Sequence, residues 1–199
     1  MLRIETLVGP AMGPHIPALA RLRRVVFREW PYLYDGGGRA AYEEGYLETY
    51  AASPRAALVM AWGGAEPVGL ATCLPLLDET PNVVEPFRAA GLDPSEYCYF
   101  GEAILLRAYR GQGAGVAFYR AREAHARALG LRRTAFCAVV RPDVHPMRPV
   151  DAVPLDGFWR NRGYTMRPGL TCTMRWPDLD AGDTVHTMQF WTKDLDSAG

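Results

Sequence analysis

The chain has few cysteines, and none of them forms the CxxC pair that is typical of zinc ligands. Its 199 residues include four cysteines, each within an apolar, strand-like stretch (Cys73, Cys98, Cys137 and Cys172). No cluster of histidines and acids stands near them in the sequence either. We therefore expect four small buried thiols in a reducing compartment, and we expect no metal.

Net charge and long apolar runs are also missing. The 22 basic residues are balanced by 22 acidic ones, so there is no positive field to attract nucleic acid or an anionic membrane. No apolar run approaches the roughly 20 residues that a membrane-spanning helix needs. The first ten residues, MLRIETLVGP, do not contain the apolar core of a secretory signal. We therefore expect a cytoplasmic protein without nucleic-acid or membrane partners.

What the chain does have is ordinary globular composition, with 49% apolar residues, and a length that suits one domain over 1–199. Hydrophobic periodicity predicts strands and helices in alternation. In order, these are strand 2–8, helices 16–30 and 40–52, strands 56–62 and 67–74, an excursion with one short helix, strand 97–106, helix 113–129, strand 134–140, helix 155–162 and strands 170–176 and 184–192. Hairpins at both ends enclose one strand–helix–strand crossover, so the predicted fold class is α/β (α+β) with a mixed sheet.

The most informative stretch is 97–130, where an apolar strand leads into a glycine-rich turn and then a helix. Gly111, Gly113 and Gly115 leave the turn almost without side chains, and Arg110 stands at its start. A helix that begins in this way presents free backbone N–H groups and the positive end of its dipole. Such a turn binds phosphate. The alternative is a tight turn with a purely structural role.

Two familiar phosphate-binding sequences do not fit this turn. A P-loop needs GxxxxGK[ST], and no Lys-Ser or Lys-Thr pair follows the glycines. The dinucleotide fingerprint GxGxxG needs a third glycine where the chain has Val116 or Phe118. The spacing that does fit is Arg-x-x-Gly-x-Gly, which runs from Arg110 to Gly115.

This spacing resembles the pyrophosphate-binding motif of the GCN5-related N-acetyltransferase (GNAT) superfamily. The stretch 158–164, FWRNRGY, is similar to the later short-helix motif of that family, in which an aromatic pair precedes a Gly-aromatic exit. The order of elements also fits along nearly the whole chain. The resemblance implies a mostly antiparallel, twisted sheet with helices on both faces. In that arrangement 1–54 flanks an acceptor site, 75–96 is an irregular excursion and 97–164 is the cofactor-binding core.

By this resemblance the ligand is acetyl-CoA, which acts as a co-substrate. The turn would hold its pyrophosphate (Arg110, Gly111, Gln112, Gly113, Ala114 and Gly115). In the family, the strand before the turn splays from the next one, and the pantetheine arm pairs with strand backbone in the gap. A backbone N–H near Ile104, Leu105 or Leu106 would bind the thioester carbonyl. The short helix with Trp159 would flank the other side of the cofactor.

Direct attack of an amine on a thioester requires a base. Period-two alternation predicts that Phe100, Glu102, Ile104 and Leu106 share one face of the strand, which places an acid near the gap. In the family, the base is often a glutamate on this strand. Glu102 is therefore the candidate catalytic base, and the alternative is a structural carboxylate.

The leaving thiolate has no obvious proton donor in the sequence. In the family, the donor is usually a tyrosine at the position of Trp159, and an indole N–H supplies no proton at neutral pH. Tyr99 and a bound water are the remaining candidates for this proton donor, and Tyr164 is expected in the core. A histidine is a possible base by residue type, but we expect His145, in the proline-rich loop 141–154, to lie at the surface.

In the family, the acceptor approaches from the first two helices and their connection, here 30–38. Tyr32, Tyr34 and Asp35 form a candidate pocket that attracts an ammonium group. The alternatives are packing at the helix ends for the aromatic rings and a turn role for Asp35. The last strands carry aromatics that look exposed and suggest a homodimer (Trp176, Phe190 and Trp191).

Two functions from different classes stay open. The first is an acetyl-CoA-dependent N-acetyltransferase that acts on a small-molecule or peptide amine by direct attack on the thioester. The second is a non-catalytic acyl-CoA binding or sensing module with the same fold. Glu102 favours the enzyme, whereas the departure at Trp159 favours the module.

Overall fold

The computed structural model describes residues 2–35, 49–50 and 52–195. Its strands are β1 (Arg3–Val8), β2 (Ala57–Gly63), β3 (Glu66–Pro75), β4 (Tyr97–Leu105), β5 (Arg133–Val139), β6 (Thr165–Asp178) and β7 (Gly182–Asp194). They form one sheet in the order β1-β2-β3-β4-β5-β7-β6. Every neighbouring pair is antiparallel except β4 and β5. The prediction of a mixed, mostly antiparallel sheet is confirmed.

Helices cover both faces of this sheet. They are α1 (Ile16–Val26), α2 (Pro81–Ala89), α3 (Ala114–Ala128) and α4 (Asp156–Arg160). On one face, Leu22 of α1 and Phe87 of α2 join the largest buried cluster. On the other face, Tyr119 of α3 packs with aromatic residues of β4, β5 and the exit of α4. The helix α3 is the crossover that allows β4 and β5 to run parallel.

The central strands form where the sequence is most continuously apolar. β2 and β3 are joined by a tight turn at Gly64, whose positive φ of 66° suits glycine. All but the ends of these two strands are buried, as expected for central strands of a sheet that is covered by helices on both faces. All four cysteines are buried free thiols, as predicted.

Three predictions about the elements need correction. The first helix ends at Val26 rather than residue 30, because successive tight turns follow it, with Glu29 N–H donating to Val26 O and Tyr32 N–H to Glu29 O. The last two strands are longer than predicted. The three aromatics expected at the surface are buried, at 6%, 0% and 2% exposure (Trp176, Phe190 and Trp191). Phe190 and Trp191 lie on β7, inside the sheet between β5 and β6. Trp176 lies on the edge strand β6, where it stacks on His186 and packs against Tyr32.

Two predictions fall on residues outside the described ranges. The second predicted helix, 40–52, lies mostly beyond them, and so do the three glycines 36–38 of the predicted acceptor loop. The part of that loop that the structure describes ends at Asp35.

Candidate active site

A β-bulge in β4 decides which side chains face which side of the sheet. Ala71 pairs with Ala103 and Cys73 with Phe100, so β4 has one residue more than β3 between these two pairs. The extra residue shifts the alternation at Gly101 and Glu102. Phe100 therefore packs on the α3 face. After the bulge, Ile104 packs on the α1 face. The prediction that Phe100, Glu102 and Ile104 share one face is wrong for Phe100.

Glu102 lies at the bulge and is buried, with 5% exposure. Its carboxylate contacts the guanidinium of Arg23 on α1 through Oε1. The second oxygen, Oε2, is buried without a hydrogen-bond partner among the described residues. The candidate base is thus half of a buried ion pair that leaves one carboxylate oxygen open.

The backbone of Glu102 is held by side chains instead of a regular strand ladder. Its N–H donates to Thr72 Oγ1 at 2.9 Å. Its carbonyl accepts from Arg122 Nη1 at 3.2 Å. Both partners are buried, and they come from different elements, β3 and α3. The sequence pattern contained no signal for this arrangement, since a bulge is not visible in hydrophobic alternation.

A gap opens between β4 and β5, the two parallel strands of the sheet. β4 and β5 pair only over Tyr97–Tyr99 and Arg133–Ala135, although β4 continues to Leu105 and β5 to Val139. Leu106 N–H donates to Val68 O on β3. Because backbone groups alternate in direction along a strand, the N–H of Leu105 points away from β3 and towards the gap. Of Ile104, Leu105 and Leu106, alternation therefore selects Leu105.

The glycine-rich turn has the backbone geometry of an anion-binding helix start. Gly111 and Gly113 have φ of 77° and 85°, a region that other residues adopt only with strain. Gly115 is needed for a different reason: a Cβ there would lie 3.1 Å from the Phe158 ring. The first helical bond runs from Ala117 N–H to Gly113 O, so the N–H groups of the preceding residues have no acceptor within the helix.

Arg110 and Gln112 stabilise the turn. Arg110 Nε donates to Leu105 O at 3.1 Å, and its Nη2 donates to Glu29 Oε2 at 2.8 Å. Gln112 Nε2 donates to Ala108 O at 3.4 Å. The side chain of Arg110 thus joins the end of β4 to the segment after α1, and α3 begins with Ala114 directly behind the turn.

The short-helix motif packs its aromatic residues in two directions. Trp159 contacts Phe136 and Trp191, with ring centroids 5.1 Å apart in both cases. Phe158 contacts Tyr119 of α3 at 5.8 Å between centroids. The residue that contacts the start of α3 is therefore Phe158. The sequence indicates Phe158 only as part of the stretch 158–164, and the family resemblance predicts Trp159 as the residue beside the cofactor. Trp159 lies on the strands beside it.

Burial makes Tyr99, Tyr119 and Tyr164 poor proton donors. Burial raises the pKa of Tyr99 far above its usual range, and its hydroxyl lies 3.1 Å from Cys137 Sγ. Burial also raises the pKa of Tyr164 strongly. Tyr164 is a core residue, as predicted, since it accepts from Thr134 and donates to Glu123. Burial raises the pKa of Tyr119 to about 12.

The predicted acceptor residues differ in their surroundings. Tyr34 is 4% exposed and forms a bridge to Asp178 at the end of β6. Tyr32 packs between Phe27 and Trp176. Asp35 is exposed and lies 3.3 Å from Arg28. Tyr34 therefore belongs to the core, whereas Tyr32 and Asp35 are partly accessible.

A buried arginine, which the sequence did not nominate, fastens this segment to the sheet. Arg141 donates to Pro31 O at 2.7 Å and to Tyr32 O at 2.6 Å. It also binds both carboxylate oxygens of Asp178, at 2.9 and 2.7 Å. Burial raises the pKa of Asp178, but the hydrogen bonds and charge of Arg141 outweigh burial and hold it below its ordinary value.

His145 is less exposed than predicted, since its side chain is only 12% accessible. Its ring packs against Trp30 at 5.2 Å. Its Nδ1 accepts the N–H of Met147 at 3.2 Å, so a neutral ring carries its proton on Nε2, which faces Asp180 Oδ2 at 3.8 Å. That tautomer has no free lone pair for base chemistry.

A groove of about 590 Å³ lies between α3 and α4. Cationic and amide side chains line it together with Glu123 and two aromatic rings (Arg120, Asn161, Arg162, Lys193, Tyr119 and Phe158). Within residues 2–35, 49–50 and 52–195, no group of three or more His, Cys, Asp or Glu side chains could hold a metal. In the same ranges no helix is long and apolar enough to cross a membrane.

Comparisons with known proteins agree with this geometry. The sequence model of the acetyltransferase (GNAT) family matches residues 20–150. No curated protein sequence matches the chain. Among solved structures, it is similar to the ribosomal-protein-S18-alanine N-acetyltransferase from Escherichia coli, with 10% identity and a TM-score of 0.60 over 100% of this chain and 97% of that one.

Two further structures show the same fold. A GCN5-related N-acetyltransferase from Kribbella flavida has 16% identity and a TM-score of 0.59, over 96% of this chain and 98% of that one. An acetyltransferase from Streptococcus agalactiae has 15% identity and a TM-score of 0.59, over 98% of both chains. Because the family match spans more than half of the sequence, the chain belongs to the GNAT acetyltransferase family.

Proposed function

We propose that the protein is an acetyl-CoA-dependent N-acetyltransferase that transfers acetyl directly to the amine of a small molecule or a peptide N-terminus. One observation carries the proposal: the gap between β4 and β5 has a glycine-rich turn at one end and, beside it, the carboxylate of Glu102, whose Oε2 has no hydrogen-bond partner among the described residues. Family membership supports the acyl transfer, and the site supports the nature of the donor and the acceptor.

The donor side supplies a contact for each part of acetyl-CoA. The backbone amides from Gly111 to Gly115 would hold the pyrophosphate at the start of α3. The cationic groove between α3 and α4 would receive the nucleotide end. The pantetheine arm would pair with the free edge of β4, as an added strand does. Leu105 N–H would then donate to the thioester oxygen, where negative charge develops.

Glu102 is the proposed base. Arg23 holds one carboxylate oxygen, and Oε2 is left to accept a proton from the attacking amine, directly or through a water. The amine nitrogen forms a bond to the acetyl carbon, the carbon–sulfur bond breaks, and the proton passes to Glu102. The electron pair leaves with the CoA sulfur. A thiol with an ordinary pKa near 8.5 is a good leaving group, so a dedicated acid is not required.

The acceptor would enter from the side of the segment after α1. Asp35 is exposed there and would attract an ammonium group, while Tyr32 would contact the carbon next to it. The Escherichia coli protein of the same fold acts, by its name, on an alanine of a ribosomal protein, which supports a peptide N-terminus as one acceptor class. We place the reaction in the cytoplasm, and nucleic acids and membranes are not among the proposed partners.

The experiment is acetyl transfer from acetyl-CoA to a panel of small primary amines and short peptides. Thiol release and the mass of the N-acetyl product are followed together. Gly113→Ala should raise the Kd for acetyl-CoA at least tenfold, because φ of 85° strains a side chain. Gly157→Ala is the matched control, since an added Cβ there meets nothing within 4 Å. No thiol release with any acceptor, together with no binding of acetyl-CoA, would overturn the proposal.

A non-catalytic acyl-CoA binding or sensing module is the second candidate. The observation that favours it is the packing of Trp159 on Phe136 and Trp191, where the family usually has a proton-donating tyrosine. The same assay separates the two. Tight binding of acetyl-CoA without turnover on any acceptor would favour the module.

A further inference from the structure

The bulge in β4 removes the backbone of Glu102 from the regular ladder between β3 and β4. A buried backbone N–H or C=O without a partner is costly, so the bulge needs replacements for the lost bonds. It obtains both from side chains, Thr72 Oγ1 for the N–H and Arg122 Nη1 for the carbonyl. The direction of the Glu102 side chain follows from this backbone, because its Cα is held from both sides.

Thr72 is well suited to this task. It is 1% exposed, and its β-branched side chain has few rotamers in a strand. Its position on β3 falls between Ala71 and Cys73, the two residues that frame the bulge. The hydroxyl therefore stands where a regular strand would have presented a backbone carbonyl to Glu102.

Arg122 is an unusual choice for a merely structural contact. It is 2% exposed, and it forms no ion pair with a carboxylate in the part of the chain that the structure describes. Its guanidinium lies over the rings of Phe100 and Tyr119, at 4.3 and 4.8 Å from their centroids. Burying a cation without a carboxylate is expensive, and an apolar residue of similar volume would often be more stabilising.

We infer that Thr72 and Arg122 are positioning residues that hold the bulge so that the open oxygen of Glu102 faces the attacking amine. This inference rests on the proposed function, in which Glu102 is the base. A base displaced by about 1 Å can lose up to a hundredfold in rate. The two residues therefore act on the turnover rate through Glu102, while the turn that binds acetyl-CoA is untouched.

The first test compares Thr72→Val with Thr72→Ser. Valine keeps the shape and removes the acceptor, whereas serine keeps the hydroxyl. We expect Thr72→Val to lower kcat by about tenfold to a hundredfold, with the KM for acetyl-CoA unchanged. Thr72→Ser should stay within about threefold of wild type. Thr134→Val is the matched control, because Thr134 is also fully buried and donates to Tyr164, away from the bulge.

The second test uses Arg122→Met. We expect kcat to fall at least tenfold with the KM for acetyl-CoA unchanged. The melting temperature should fall only modestly, because the loss of the donor to the buried Glu102 carbonyl is partly offset by removing a buried cation that has no carboxylate partner among the described residues. A purely structural arginine would lower kcat only in proportion to the fraction of the variant that is unfolded. That outcome, or an unchanged kcat, would overturn the role of Arg122.

A third readout does not depend on turnover. The pH titration of the Glu102 carboxyl, followed by carbon NMR and assigned with Glu102→Gln, should change in Thr72→Val and not in Thr72→Ser or Thr134→Val. If the wild type transfers acetyl and Thr72→Val matches it in kcat and titration, the inference fails while the proposed function stands. If the wild type transfers nothing, the proposed function fails, and an unaltered titration in Thr72→Val also rejects the positioning role.

Discussion

Two buried arginine–carboxylate pairs in this protein are built very differently. Arg141 and Asp178 have side chains 9% and 3% exposed, and Arg141 binds both carboxylate oxygens. Arg141 also donates hydrogen bonds to two backbone carbonyls, those of Pro31 and Tyr32. Arg23 and Glu102 are buried to a similar degree, at 8% and 5%, but the carboxylate binds Arg23 through one oxygen, and Oε2 has no hydrogen-bond partner within residues 2–35, 49–50 and 52–195.

The contrast separates a carboxylate with both oxygens bound from one that keeps an oxygen without a partner in the part of the chain that the structure describes. A buried ion pair offsets its desolvation cost only when the geometry is good and the remaining hydrogen-bonding capacity is satisfied. Arg141 and Asp178 meet both conditions, and they join the segment after α1 to β6. The pair of Arg23 and Glu102 leaves Oε2 without a hydrogen-bond partner among the described residues, and under the proposed function this oxygen accepts the proton of the amine.

Breaking the pair of Arg141 and Asp178 should have the largest effect on stability. Asp178→Ala leaves Arg141 buried and uncompensated, so we expect the free energy of unfolding to fall by about 3–5 kcal/mol. Denaturant unfolding monitored by tryptophan fluorescence measures this loss. Asp183→Ala is the control, because its pair with Arg175 is exposed on both sides and should be worth less than about 1 kcal/mol. Equal losses in the two variants would contradict the structural role.

Replacing each pair as a whole by apolar residues should give effects of opposite sign. Arg23→Met with Glu102→Met should be neutral or stabilising by about 1–4 kcal/mol, with activity abolished. Arg141→Met with Asp178→Leu should be destabilising, because the carbonyls of Pro31 and Tyr32 each lose a donor at about 1–3 kcal/mol. The same denaturant measurement applies, and a gain in both double variants would remove the distinction between the pairs.

The smallest expected effect is the change of folding stability with pH that arises around the pair of Arg141 and Asp178. His186 lies 3.6 Å from Asp178 Oδ2, and burial lowers the pKa of His186 more than the charge of Asp178 raises it. The unfolded state then binds the additional proton first, so stability should fall as the pH drops below about 6.5. Asp178, with its lowered pKa, contributes stability that is complete above its unfolded pKa of about 3.9 and lost as the pH falls through its folded value.

His186→Phe tests the first part of this dependence. Phenylalanine keeps a ring stacked on Trp176, where the two rings lie 3.6 Å apart, and it does not titrate. Unfolding free energies between pH 7 and 5 should decline less in this variant than in the wild type. A steeper decline in the variant would show that the sign is wrong.

The sequence predicted the architecture well because the architecture follows hydrophobic periodicity and glycine placement. The hairpin of β2 and β3, the crossover through α3 and the glycine-rich turn before α3 all depend on local patterns. The turn is the clearest case, since Gly111 and Gly113 do adopt positive φ and Gly115 does make room for a neighbouring ring. The position of a glycine helps to predict local structure because glycine is required for steric reasons, such as a positive φ, that depend on neighbouring residues only.

The parts that the sequence missed depend on contacts between distant residues. The bulge at Glu102 breaks period-two alternation, and only the pairing with β3 reveals it. Arg122 lies far along the chain from the Glu102 carbonyl, and Arg141 lies far from the Pro31 and Tyr32 carbonyls, so no spacing rule could find these contacts. The aromatics of the last strands read as exposed because their burial depends on strand order in the sheet, which periodicity does not determine.

The most direct test of the account is the turnover of Glu102→Gln. Glutamine keeps the size of the side chain and its contact with Arg23, but it cannot accept the proton. We expect kcat for acetyl transfer to fall by about 10²–10⁴-fold, with the Kd for acetyl-CoA within about twofold of the wild type. A variant that binds acetyl-CoA and retains more than a third of the wild-type kcat would contradict the assignment of Glu102 as the base.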